Sequence, residues 1–163
     1  MKKYYYPTNT YSQIHLHIVF STYRRMPLIS RVGKDKLYSL IGGIIKKKGH
    51  HPIAINGVED HIHILLGFRP SDNIASLVRD IKSGSTKYMN EVMYRGARFA
   101  WQRGYSVFSY SQSQVDAVTN YIARQEEHHY SESSEKEILR IHRMFGLEAE
   151  LAPAGDRGAE GID

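Results

Sequence analysis

Residues 13–22, QIHLHIVFST, alternate with a period of two: Ile14, Leu16, Ile18 and Phe20 point one way, His15, His17 and Val19 the other. Nearly the same phrase returns at residues 60–67, DHIHILLG. Alternation of this kind specifies a strand. Between the two, from Lys34 to Lys48, Leu37, Leu40, Ile41, Ile44 and Ile45 recur at helical spacing. The lysines at 46, 47 and 48 end that helix where cations suit its dipole. A pattern that switches from strand to helix and back confines the chain to a mixed fold, whose layout the remaining segments decide.

HPIAINGVE reads as a second strand, joined by a tight turn to a third, HIHILLGF. SDNIASLVRDIKSGSTKYMNEVM is a second long helix, with Ser71 or Asp72 as its expected cap. YSVFSYS is a fourth strand, and Ser113 can cap a third helix from Gln114 to about His129. EKEILRIHRMFG adds a short fourth helix. The order is β-α-β-β-α-β and then helix. It predicts an α+β fold with a ferredoxin-like, RRM-like antiparallel sheet followed by a C-terminal helix. The first and third strands are central neighbours in that topology, which puts the two His-x-His pairs side by side. Residues 1–147 form a single domain on this reading, and the acidic segment 148–163, rich in Ala, Gly and Pro, is expected to be disordered.

Charge is unevenly spread. The chain carries 22 Lys+Arg against 17 Asp+Glu, net +5, yet its last sixteen residues hold five acids and one arginine, leaving +9 on residues 1–147. A basic body containing aromatic residues points to a polyanion, most simply nucleic acid. There is no cysteine, which excludes disulfides, thiolate metal sites and cysteine nucleophiles and suits a reducing cytoplasm. No apolar run has the length of a membrane span. The start, MKKYYYPTNTYSQ, lacks the apolar core of a secretory signal.

Residues i and i+2 of a strand share a face about 6.6 Å apart, so either histidine pair can converge on one ion, and either can equally be two polar residues on a half-exposed face. His61 and His63 follow Glu59-Asp60, acids able to orient an imidazole; His15 and His17 have no acid nearby in sequence. In VTNYIARQEEHH, Tyr121 and Gln125 are four apart and stack on one helical face, beside a stripe of Val115, Val118 and Ile122.

Four stretches in order, HIVFSTYRR, DHIHILL, WQRGYSVFSYS and YIARQEEHH, resemble the HUH-type single-tyrosine transposases of small hairpin-ended insertion sequences. The resemblance spans about residues 13–147. It implies that His61 and His63 are metal ligands, Gln125 a third ligand, and Tyr121 the nucleophile. The third helix, which carries Tyr121, would then be the catalytic C-terminal helix. His17 receives a place in the first strand but no ligand role, and His15 receives none. The implied activity is metal-dependent cleavage and rejoining of single-stranded DNA at hairpin-containing ends, through a 5′-phosphotyrosine and with Mg²⁺ or Mn²⁺. The implied assembly is a homodimer whose subunits share active sites, in the cytoplasm of a bacterium or archaeon. Arg24, Arg25, Lys46, Lys47, Lys48, Arg79, Lys82 and Lys87 are candidates for backbone contacts, and Trp101, Tyr105 and Phe108 for base stacking or core packing. Two other readings stand beside this one: a non-catalytic RRM-like nucleic-acid-binding module, and a domesticated relative that binds hairpins without mobilising DNA.

Overall fold

The structure, a computed structural model, describes residues 11–93 and 98–147 and the backbone of 159–160. In chain order its elements are β1 (His15–Ser21), α1 (Lys34–Lys47), β2 (His51–Gly57), β3 (His61–Gly67), α2 (Ile74–Tyr88), β4 (Trp101–Gln102), β5 (Ser106–Tyr110), α3 (Val115–Ala123), α4 (Gln125–His129), α5 (Ser134–Met144) and β6 (Ala159–Glu160). The main sheet runs β2-β3-β1-β5 and every pairing is antiparallel. This is the α+β arrangement expected, with β1 and β3 adjacent at the centre.

Alternation along the two central strands explains the layers. Leu16, Ile18 and Phe20 of β1 and Ile62, Ile64 and Leu66 of β3 meet Leu37, Ile41 and Ile45 of α1 and Leu77, Val78 and Ile81 of α2 in one buried cluster. The odd-numbered residues face the other way. There Leu65 packs with Val115, Val118 and Ile122 of α3, and Val19 packs with Phe108, Ile138 and Ile141 beneath α5. Every residue of β1 and β3 is therefore buried. Among the described residues, the sheet offers no open aromatic platform of the kind an RNA-binding module stacks bases on.

The β2–β3 turn is tight enough to demand glycine. A Cβ on Gly57 would lie 2.2 Å from the His61 carbonyl oxygen. That close approach starts β3 at His61 and sets the histidines in register.

Several boundaries differ from expectation. The cap of α2 is Asn73, whose side chain accepts from Ser76 N at 3.0 Å, in place of Ser71 or Asp72. Ser113 lies inside a 3₁₀ turn, Gln112–Gln114, and Ser111 forms the capping box with Gln114. The single helix expected from Gln114 to about His129 is two, α3 and α4, broken at Arg124. Asn56 of β2 accounts for the break: its Nδ2 donates to the carbonyls of Ile122 at 2.9 Å and Ala123 at 3.2 Å, satisfying oxygens that the end of α3 leaves free. The segment 148–163 lies outside the described residues except at β6, whose backbone pairs with β4.

Candidate active site

In the β1–β3 register Val19 opposes His63, Ser21 opposes His61 and His17 opposes Leu65, so all three imidazoles project from one face. Each of the β3 pair is held by its Nδ1. His61 Nδ1 lies 2.7 Å from Asp60 Oδ1, and Ser134 Oγ of α5 holds that carboxylate by donating to it at 2.8 and 2.7 Å. His63 Nδ1 lies 2.8 Å from His17 Nε2. Both Nε2 atoms then turn to the same carboxylate: Glu137 Oε2 is 3.1 Å from His61 Nε2, and Glu137 Oε1 is 3.5 Å from His63 Nε2.

Glu137 is the residue of this candidate site that the sequence alone does not disclose. It sits on α5 in line with Ser134, Ile138 and Ile141, the helix's buried stripe, and is 3% exposed. The signal was an acid in the apolar register of an amphipathic helix, where only a polar partner makes it tolerable. Its Oε1 accepts from the Tyr121 hydroxyl and, at 2.9 Å, from Gln125 Nε2. The break after α3 therefore leaves Tyr121 and Gln125 on one carboxylate despite the lost helical register. The Tyr121 ring meets His63 edge-on at 5.9 Å between centroids. Arg140 Nη2 lies 3.2 Å from the Tyr121 oxygen.

Electrostatics follow from this packing. Burial opposes charge on His61, but hydrogen bonds to Asp60 and Glu137 outweigh it and hold its pKa up at about 9. Burial pushes His17 down to about 4, and pushes His63 well below its ordinary value. Burial would raise Glu137, but His61 above all holds it below the usual carboxylate range. Burial, then the Glu137 contact, raises Tyr121 above an ordinary phenol, so the hydroxyl keeps its proton while α5 is docked.

The residues fit a divalent cation. Ligand atoms of His61, His63 and Glu137 lie within 4.8 Å of one another, and all three side chains are buried. Donors bound at about 2.1 Å in tetrahedral or octahedral geometry stand about 3.0–3.4 Å apart, close to the spacings of both imidazoles from Glu137. His63 Nε2 and Gln125 Oε1 are buried without a hydrogen-bond partner, which is how atoms reserved for an ion stand before it binds. Two imidazoles with an amide and a carboxylate oxygen are a borderline donor set.

The other candidates divide. Arg24 and Arg25 follow β1 in a turn where both take positive φ, 53° each, and Arg25 is 3.6 Å from Glu135 of α5, next to the site. Lys46, Lys47, Lys48, Arg79 and Lys87 are exposed on α1, its C-terminal end and α2, across the sheet from the histidines, and Lys48 pairs with Asp80. Lys82 does not present its ammonium to solvent, where a backbone contact would need it. It is 3% exposed, and its Nζ donates to the carbonyls of Gln102 at 2.8 Å and Gly104 at 2.7 Å. Trp101 cannot stack on bases either: it is fully buried, edge-on to Phe20 and Phe99, and its Nε1 donates to Ser85 Oγ at 2.8 Å. Phe108 is a core residue and Tyr105 is exposed. His15 is buried on the histidine face, outside the cluster.

Comparison with known proteins gives concordant results. The family model described as "Transposase IS200 like" matches residues 10–125. The ISDra2 transposase TnpA of Deinococcus radiodurans is 25% identical over 121 residues, covering 69% of this chain and 84% of that protein. A crystal structure described as a transposase from Deinococcus radiodurans R1 superposes with a TM-score of 0.60 at 22% identity, covering 77% of this chain and 98% of that one. The REP-associated tyrosine transposase bound to a REP hairpin superposes with a TM-score of 0.57 at 15% identity, covering 79% and 74%. At these identities the two structures speak for the fold.

Proposed function

The chain belongs to the IS200-like, HUH-type single-tyrosine transposase family, and from that premise we propose that it cleaves and rejoins single-stranded DNA at hairpin-containing element ends through a 5′-phosphotyrosine at Tyr121. The observation that carries this reading is the meeting of the Tyr121 hydroxyl and the two β3 imidazoles on one buried carboxylate, Glu137. Hairpin DNA as the substrate class is supported by the REP hairpin held by the structural relative and by the +9 charge of residues 1–147.

His61 Nε2, His63 Nε2 and Gln125 Oε1 would hold Mg²⁺ or Mn²⁺, with Glu137 Oε2 beside them. When bound, such an ion polarises a phosphodiester and offsets its negative charge. The remaining work belongs to the chain. Asp60 and His17 fix the orientation of the two imidazoles through Nδ1. Buried Val118 and Ile122 lock α3 to the sheet, so Tyr121 is presented from a rigid support. Its oxygen attacks phosphorus, its proton passes to Glu137 Oε1, which already accepts it, and the P–O3′ bond breaks. The electron pair leaves on the 3′ oxygen, which takes a proton from solvent. Attack by a 3′-hydroxyl on the phosphotyrosine reverses the step, so rejoining needs no nucleotide cofactor.

With a hairpin-containing oligonucleotide and Mn²⁺, the protein should form a denaturation-resistant adduct on the 5′ side of the nick. The adduct peptide should contain VTNYIAR. Tyr121→Phe removes one oxygen and should abolish the adduct while folding and DNA binding persist. An adduct at Tyr110 or Tyr130, or undiminished cleavage by Tyr121→Phe, would overturn the assignment.

A further inference from the structure

Beyond residue 125, where the family match ends, α5 brings one cation to the nucleophile. Arg140 lies one turn after Glu137, and both touch the Tyr121 oxygen: Glu137 as acceptor, Arg140 Nη2 as a donor at 3.2 Å. The guanidinium carbon stands 5.8 Å from the Tyr121 ring centroid. Its Nε edge is anchored at 3.2 Å to Glu132 Oε2, so the fork is oriented. Its side chain is 43% exposed, within reach of a polyanion arriving from solvent. The rest of α5 is fixed by Ser134 on Asp60 and by Ile138 and Ile141 in the core.

We propose that Arg140 is a catalytic residue of the strand-transfer reaction, binding the non-bridging oxygens of the scissile phosphate as the Tyr121–phosphorus bond forms. The inference rests on the reading of Tyr121 as nucleophile. Chemistry supplies the need. A phosphodiester entering here comes beside the buried Glu137 side chain, and its transition state spreads negative charge over the non-bridging oxygens as phosphorus meets the phenol oxygen. Once the phosphate is esterified to Tyr121, its free oxygens lie about 2.5 Å from the ester oxygen, inside the reach of a guanidinium that already hydrogen-bonds that oxygen. The Arg140 hydrogen bond to the resting hydroxyl then passes to phosphate. Exposure and the Glu132 anchor suit a side chain that shifts by this small distance.

The test is single-turnover adduct formation on a hairpin-bearing single strand drawn from DNA flanking the reading frame, at saturating oligonucleotide with Mn²⁺. Arg140→Ala should slow the step by on the order of 10²–10³-fold, the cost of removing one charge-stabilising donor, and a separate oligonucleotide titration should show the half-saturating concentration unchanged because the interaction belongs to the transition state. Guanidinium ion at non-denaturing concentration should restore part of the lost rate in Arg140→Ala and none in the parent. A structural prop would show no such rescue. Arg140→Lys keeps charge without the fork and should fall between parent and alanine. Parental rates in Arg140→Ala, or a deficit that guanidinium leaves untouched in a variant melting like the parent, would overturn this role while Tyr121 stands. No adduct from the parent protein would remove the nucleophile assignment, and Arg140's role with it.

Discussion

Three imidazoles on one sheet face are held in opposite protonation states by their neighbours, and that sets how stability responds to pH. His17, at about 4, binds its proton less readily folded than unfolded. Its contribution is therefore complete above the unfolded value near 6.5 and is lost as pH falls from there toward 4. Burial lowers His50, His63 and His142 too, and they share this acid limb. His61 has the reverse sign: raised to about 9, its contribution is complete below 6.5 and is lost as pH rises through 9. The His17 and His61 shifts each correspond to on the order of 3 kcal/mol. With EDTA present, urea midpoints should peak near neutrality and fall on both sides. His61→Gln should flatten the alkaline side and leave the acid side in place; an alkaline limb that survives would show that the Asp60–His61–Glu137 contact does not set it. A second residue-scale expectation separates the histidine pairs. His63→Ala should abolish Mn²⁺-dependent cleavage while hairpin binding survives, whereas His15→Ala, outside the cluster, should keep most activity. Equal losses from the two would remove β3 as the metal strand.

Among the elements, α2 carries a lysine whose role is inverted by its surroundings. Lys82 ties α2 to the β4–β5 turn through two carbonyls. Lys82→Met keeps the stem and leaves those oxygens short of a donor, at a cost of about 1–3 kcal/mol. The melting temperature should then fall by about 2–10 °C. The salt dependence of DNA binding should not move. A drop in that slope by about 0.7, the signature of one lost single-strand phosphate contact, would restore Lys82 as a DNA ligand. The same element shows what the sequence could and could not disclose. Alternation along β1 and β3 and the spacing of Leu37, Ile41 and Ile45 depend on local periodicity, and those elements appear where the pattern puts them. Lys82 is burial by a long-range turn, which no local pattern records. The break at Arg124 is likewise made by Asn56, 68 positions earlier on another strand. The histidine pair and Tyr121 are legible as candidates because motif and order carry them. Glu137 and Arg140 were not, because their meaning depends on where α5 docks.

At the scale of the molecule, the decisive fact is that His61, His63, Tyr121, Gln125 and Glu137 meet within one chain. The implied homodimer with shared active sites requires the tyrosine helix to leave its own histidines for those of a partner. Here that helix is bound at home by Val115, Val118 and Ile122 against Leu65, by Asn56 on its last carbonyls, and by Glu137 from α5. An exchange would have to break all three sets of contacts and remake them across the interface. Subunit mixing decides between the two arrangements. A Tyr121→Phe chain and a His61→Ala/His63→Ala chain are each dead alone. If every site forms within one chain, their mixture stays as inactive as either parent, and this is the expected result. If tyrosine helices exchange, random pairing makes half the dimers mixed, each with one intact site, and the mixture recovers about a quarter of the parental sites. Adduct yield per chain reads the difference directly. Recovery near a quarter would show that the chain's closed site opens to exchange its helix.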